Sequence, residues 1–107
     1  LPEKVRLALF RIFQQSLANV IRHAKATEVH VRFSFDAEEA HLEITDNGKG
    51  FEVPANWIDF VRRGHYGLAG AAERANALGG VFKVQSNPGN STTIQVILPW
   101  KDSLEES

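Results

Sequence analysis

The chain opens on a helical period. Apolar residues Val5, Leu9, Ile12, Phe13, Leu17, Val20, Ile21 and Ala24 recur at i, i+3 and i+4 spacing, which predicts one amphipathic helix over 5–24 with Pro2 tolerated in its first turn. The period then drops to two. Val29, Val31, Phe33 and Phe35 alternate with His30, Arg32 and Ser34 behind Glu28, the pattern of a half-buried strand over 28–35. A polar turn at 36–39 leads into Ala40, Leu42 and Ile44, again alternating, so the two strands are expected to form an antiparallel hairpin ending at Asp46. Residues 46–50 are a turn cluster, and 51–64, with Pro54, Trp57, Ile58, Phe60 and Val61, keep no clean period and read as a loop with a helical turn.

Beyond that loop Leu68, Ala71, Ala72, Ala75 and Leu78 mark a second helix, stopped by Gly79-Gly80. Strands over 81–86 and 92–98 follow, joined by the turn Asn87-Pro88-Gly89-Asn90. Consecutive hairpins favour antiparallel pairing, and two helices with one apolar stripe each cover one face of a sheet. The predicted fold is a two-layer α/β sandwich.

Composition narrows the partners. At 107 residues, 43% hydrophobic and 23% charged, the chain fits one folded domain, taken as 1–100 with a polar tail at 101–107. A net charge of -1 gives no long-range attraction for nucleic acid, and the absence of cysteine removes disulfides and thiolate metal sites. No apolar run reaches the roughly 20 residues of a membrane helix. The abrupt helical start and polar end read as a piece of something longer, whose membrane anchor, if it has one, lies elsewhere.

Three segments carry candidate chemistry. On the first helix Gln15, Asn19 and His23 form one row beside the apolar stripe. The Asn19 amide oxygen suits a hard cation such as Mg²⁺ and Arg22 suits a phosphate, although both also fit ordinary boundary and surface positions. Asp46-Asn47-Gly48-Lys49-Gly50 is either a plain turn or a place where backbone approaches a planar ligand and a carboxylate accepts from an exocyclic amine. Gly64-His65-Tyr66-Gly67-Leu68-Ala69-Gly70 enters a helix, whose free N–H groups favour phosphate.

Taken in order, RIFQQSLANVIRHA, DNGKGF, GHYGLAGAAERANALGG and GNSTT resemble the ATPase domain of sensor histidine kinases of the GHKL superfamily, over about residues 9–99. The likeness is greatest to the class that signals to response regulators with LuxR-type DNA-binding domains. It implies a Bergerat (GHKL ATPase) fold with a mixed, mostly antiparallel sheet. It also implies a cytoplasmic kinase module that binds Mg²⁺-ATP and donates the γ-phosphate to a histidine on a separate dimerisation hairpin, with a response regulator downstream and no nucleic-acid or membrane contact of its own. Asn19 matches the Mg²⁺-binding asparagine and Arg22 a basic phosphate contact; His23, whose wheel position borders the apolar stripe, reads either as a phosphate contact or as a buried structural histidine. Asp46 matches the adenine-binding aspartate, with Gly48 and Gly50 shaping the pocket. Gly64, Gly67, Leu68 and Gly70 correspond to residues bordering the phosphates and lid, and Thr92 to the threonine that helps hold adenine.

Two positions depart from the pattern. Gln15 stands at the catalytic position where the family usually has glutamate, and an amide does not accept a proton at neutral pH. Ser91 replaces a common glycine. The alternative reading is therefore a non-catalytic nucleotide-binding module whose ATP occupancy sets a partner's conformation. An ATPase of the topoisomerase or chaperone kind needs a base to activate water and further domains, and the serine-phosphorylating anti-sigma-factor kinases share the fold but fit the GHYGLAG pattern less well. His30 and His41 are expected on solvent-facing strand positions, and Trp57 and Phe60 in packing.

Overall fold

The computed structural model describes residues 1–50, 66–86, 88–89 and 91–101, without the side chains of His23, Ala24 and Tyr66. The expected loop over 51–64, with Gly64, and the tail from 102 onward lie outside the described residues. Helix α1 spans Glu3–Asn19 and buries Val5, Leu9 and Ile12 of the predicted stripe together with Ser16 and Asn19, while Phe13 and Leu17 of that stripe are half-buried. Pro2 stands just ahead of it, its carbonyl accepting from the N–H groups of Val5 and Arg6.

Regular winding stops where the sequence pattern continues. Residues Val20–Ala24 form a π-helical turn, closed by Lys25 in the left-handed region at φ 52°. Ile21, expected in the buried stripe, is 76% exposed, whereas Val20 is buried. At about 3.6 residues per turn Ile21 falls about 160° around the axis from Val5, outside the face that packs.

Strands β1 (Val29–Phe35), β2 (Glu39–Asp46), β3 (Val81–Ser86) and β4 (Thr92–Pro99) form one sheet in the order β1-β2-β4-β3. Every pairing among these strands is antiparallel. Helix α2 (Tyr66–Ala77) ends where Gly79 takes φ 73°, its N–H donating to the Asn76 carbonyl and that of Gly80 to Ala75. Both bonds together make the left-handed stop that glycine permits at lowest cost.

Both helices lie on one face. Ala40, Leu42 and Ile44 of β2, Ile94, Val96 and Leu98 of β4, and Phe82 of β3 join Val5, Leu9 and Ile12 of α1 and Leu68, Ala71, Ala72 and Ala75 of α2 in a single core. A side chain such as Ile12 or Leu98, removed fully from water, contributes about 1.5–3 kcal/mol. Residues Gly80 and Leu98 show how tightly the end is closed: a Cβ on Gly80 would stand 2.5 Å from the Ile97 carbonyl oxygen and from the Leu98 side chain. No described helix is long and apolar enough to cross a membrane.

The expectation of a half-buried β1 is corrected. All seven of its residues are exposed, with Val29, Val31, Phe33 and Phe35 at 36%, 49%, 48% and 60%. β1 is an edge strand, and among the described residues the helices pack over β2, β3 and β4 instead.

Its hairpin turn is held by a carboxylate. Asp36 Oδ1 accepts from the backbone N–H groups of Glu38 and Glu39, both at 2.8 Å, and His41 Nε2 lies 3.7 Å from Oδ2. The Glu38 N–H foremost, then that of Glu39, lowers the Asp36 pKa below the ordinary value of 3.8. Because the folded value is the lower one, this stabilisation is present above the ordinary aspartate range and is lost as pH falls through the folded value. NMR titration of Asp36 is expected to show a midpoint below 3.8, and Asp36→Asn to remove that acid-range loosening of the hairpin. A midpoint at or above the ordinary value would contradict the assignment.

Candidate functional site

The alternation that fills the core also delivers polar groups to one end of it. On β2 the inward positions Ala40, Leu42, Ile44 and Asp46 are buried, and on β4 so are Thr92, Ile94, Val96 and Leu98. Asp46 and Thr92 are cross-strand partners, so the last inward pair of the sheet is a carboxylate beside a hydroxyl. Thr92 Oγ1 lies 2.7 Å from Ser86 Oγ on β3. Asp46 Oδ1 accepts from the Gly48 N–H at 2.7 Å, which folds the glycine segment back over the strand end.

Burial of polar groups is costly without a purpose or a partner. Among the described residues the buried polar or charged side chains are Ser16, Asn19, Asp46 and Thr92. Three of these are residues singled out in the sequence. The fourth, Ser16, has a buried Oγ with no hydrogen-bond partner and sits one turn before Asn19 and Val20 on the same stripe of α1.

Helix directions bring these residues to a common end. The C-terminal stop of α2 packs on Ile97 and Leu98, so its first turn lies toward the Thr92 end of β4. There a Cβ on Gly67 would stand 2.7 Å from the Gln15 carbonyl oxygen, which places Gln15 against the first turn of α2 and Asn19 one turn beyond. Asn19, the start of α2, Asp46 and Thr92 thus share one edge of the sandwich. Free N–H groups of a helix's first turn favour an anion at that edge.

Two clips hold the glycine segment there. Asn47 Oδ1 accepts from the N–H groups of Thr27 and Glu28 at 2.9 Å, and its Nδ2 donates to Thr27 Oγ1 at 2.8 Å. The Gly89 N–H donates to the Lys49 carbonyl, tying the segment to the turn before β4. Gly50 takes φ 65°, a backbone state that other residues adopt only with strain.

Other predicted residues have different surroundings. Arg22 is exposed on the π turn, and the side chain of His23 lies outside the described residues, as does Gly64. Leu68 gives its side chain to the core, and Gly67 and Gly70 face α1. Gln15 is half-buried with its Oε1 accepting from Arg74 Nε at 3.2 Å. Asn47 and Arg74 were not legible as site residues: the first has the composition of any turn, and the second lies far from its partner in sequence.

The family described as histidine kinase-, DNA gyrase B-, and HSP90-like ATPase matches residues 4–102. The chain is 39% identical over 98 residues to the signal transduction histidine-protein kinase/phosphatase DegS of Brevibacillus brevis, covering 92% of this chain and 24% of that protein. It is 43% identical over 91 residues to the sensor histidine kinase LiaS of Bacillus subtilis (strain 168), covering 85% and 24%. It therefore spans about a quarter of the length of these curated relatives. Among solved structures, the histidine kinase domain from the blue-light activated histidine kinase of Erythrobacter litoralis EL346 matches with a TM-score of 0.74 at 19% identity, over 97% of this chain and 49% of that one. At that identity the likeness speaks for the fold, including the antiparallel sheet covered by helices. The chain belongs to the family of histidine kinase-, DNA gyrase B- and HSP90-like ATPases, as a GHKL catalytic domain of the two-component sensor kinase kind.

Proposed function

We propose that this domain binds Mg²⁺-ATP at the Asp46–Thr92 end of the sandwich and presents the γ-phosphate to a histidine on a separate dimerisation hairpin. The observation that carries the reading is the buried Asp46–Thr92 pair at the inner face of the sheet, with Asn19 buried on the helix above. The unpartnered Ser16 Oγ adds a polar atom to the same helical stripe, which fits a polar ligand better than an apolar core. ATP supplies the transferable phosphoryl group, and Mg²⁺ neutralises charge on its oxygens.

In this reading the Asp46 carboxylate accepts from the adenine amine, Thr92 supports the ring, and Gly48 and Gly50 let backbone approach its face. Asn19 offers its amide oxygen to the metal. Arg22 and His23 meet phosphate oxygens, and the helix entry bearing Gly64, Gly67, Leu68 and Gly70 borders them. The protein's contribution is positioning and charge neutralisation, since the acceptor imidazole is itself a nucleophile. A cytoplasmic setting and a response regulator of the LuxR type complete the proposed pathway.

Calorimetric titration with ATP is expected to show binding that Mg²⁺ strengthens. Asn19→Ala should remove the Mg²⁺-dependent increment, about tenfold or more, and leave adenosine binding in place. An increment that survives the substitution would move the metal elsewhere. Joined to a histidine-bearing hairpin, the domain should label that histidine; bound ATP without any label would instead favour a non-catalytic nucleotide module. That second reading draws on Gln15, whose amide carries no basic site and is already bonded to Arg74.

A further inference from the structure

We infer that Gln15 and Arg74 are a positioning pair that fixes the first turn of α2 against the Asn19 end of α1, and so sets the spacing between phosphate and metal contacts. The inference rests on the ATP-binding reading above.

Gly67, Gly70 and Arg74 follow i, i+3, i+7 spacing and form one stripe of α2, turned to α1, while Leu68, Ala71 and Ala75 face the core. Absence of side chains at the two glycines lets Gln15 enter the seam. A Cβ on Gly67 would stand 2.7 Å from the Gln15 carbonyl oxygen, and one on Gly70 2.5 Å from its Nε2. The Gln15 side chain thus runs along α2 and ends at the guanidinium, its Oε1 accepting from Arg74 Nε at 3.2 Å. Backbone and side chain of one residue are gripped by two successive turns of the neighbouring helix.

Asn19 lies one turn beyond Gln15 on α1, and Gly67 lies in the first turn of α2, whose N–H groups would serve as phosphate donors in the proposed site. A slide of α2 along α1 by an ångström would move phosphate donors relative to the metal ligand, and misplacement on that scale is costly in catalysis. The amide suits this task because it accepts from arginine without adding a buried charge. A carboxylate at position 15 would be captured by Arg74 as a charge-assisted pair, unavailable as a base. Glutamine here is a strut between helices.

The test uses this chain, with ATP and adenosine as probes and thermal unfolding alongside. Arg74→Ala and Gln15→Ala are each expected to weaken ATP about tenfold while adenosine changes less than about twofold, because the adenine end is held by Asp46 and not by the seam. The double variant should be no weaker than either single one, as expected for a shared contact. Gln15→Glu should raise Tm when Arg74 is present and lower it in an Arg74→Ala background. If Gln15→Ala does not fold, Arg74→Lys serves in its place, retaining the charge and losing the Nε donor. Equal loss of ATP and adenosine affinity in the Arg74 variant, or additive effects of the two substitutions, would overturn the positioning role. No ATP binding by the unmodified chain would overturn the ATP reading and this role with it, a result distinguishable from the first because the unmodified chain alone reveals it.

Discussion

Replacing Asp46 with alanine is expected to weaken ATP binding about ten- to hundredfold, because a hydrogen bond to an ionised acceptor is worth about 1.5–3 kcal/mol and each 1.4 kcal/mol is a factor of about ten. The position leaves little room for a substitute: Asp46 is buried at the end of β2, and its cross-strand partner is the equally buried Thr92. Alanine also frees the Gly48 N–H that Oδ1 now accepts, so the glycine segment loosens as well. Asp46→Asn separates the two effects. Its amide oxygen can still hold Gly48, while the charge is gone and the other end can donate. Calorimetry should therefore find ATP weakened and the preference for ATP over GTP narrowed, since guanine presents an acceptor where adenine presents an amine. Undiminished ATP affinity in Asp46→Ala would remove the adenine assignment.

Gly67→Ala is expected to destabilise the domain by about 1–3 kcal/mol, the usual cost of forcing an extra carbon into a filled contact. The new Cβ would meet the Gln15 carbonyl oxygen at 2.7 Å, with its carbon at 3.5 Å and its Cα at 3.8 Å. All three are backbone atoms of α1, which cannot rotate away, so the helices must separate. For a domain of this size the loss corresponds to a fall in Tm of roughly 4–8 °C per kcal/mol. Gly70→Ala makes a useful contrast. Its Cβ meets the end of the Gln15 side chain, which can swing aside at the cost of the Arg74 bond, so a smaller fall is expected. Thermal denaturation of the two variants checks the order, and equal stability would show that the seam is looser than its geometry.

The same contrast explains why the roles of these glycines were only half legible. In the sequence Gly67 and Gly70 read as a phosphate-bordering loop entering a helix. In three dimensions both face α1, and their smallness is required by a neighbouring helix; that they also border phosphate remains part of the proposal. Leu68, grouped with them by motif, gives its side chain to the core. Gln15 raised a question of proton transfer that its sequence position alone could pose, but the hydrogen bond to Arg74 was invisible there.

Local pattern, by contrast, is legible in the chain. The strand limits of β3 and the glycine stop after α2 follow from alternation and from the positive φ that Gly79 takes. The helical stripe of α1 was found because burial of one face imposes a period that composition alone cannot imitate. Ile21 lies outside the face that packs and is exposed, and β1 kept a strand's alternation without a strand's burial.

By itself, then, the sequence determined the two helices and four strands described and their order, because these depend on neighbours within a few residues, but not whether each apolar face is covered. Only the tertiary structure decided that the two hairpins join through β2 and β4, which sets Asp46 beside Thr92, and that α1 and α2 touch at Gln15, Gly67 and Arg74. Such contacts are fixed by the packing of whole surfaces. No local period along the chain encodes which surface meets which.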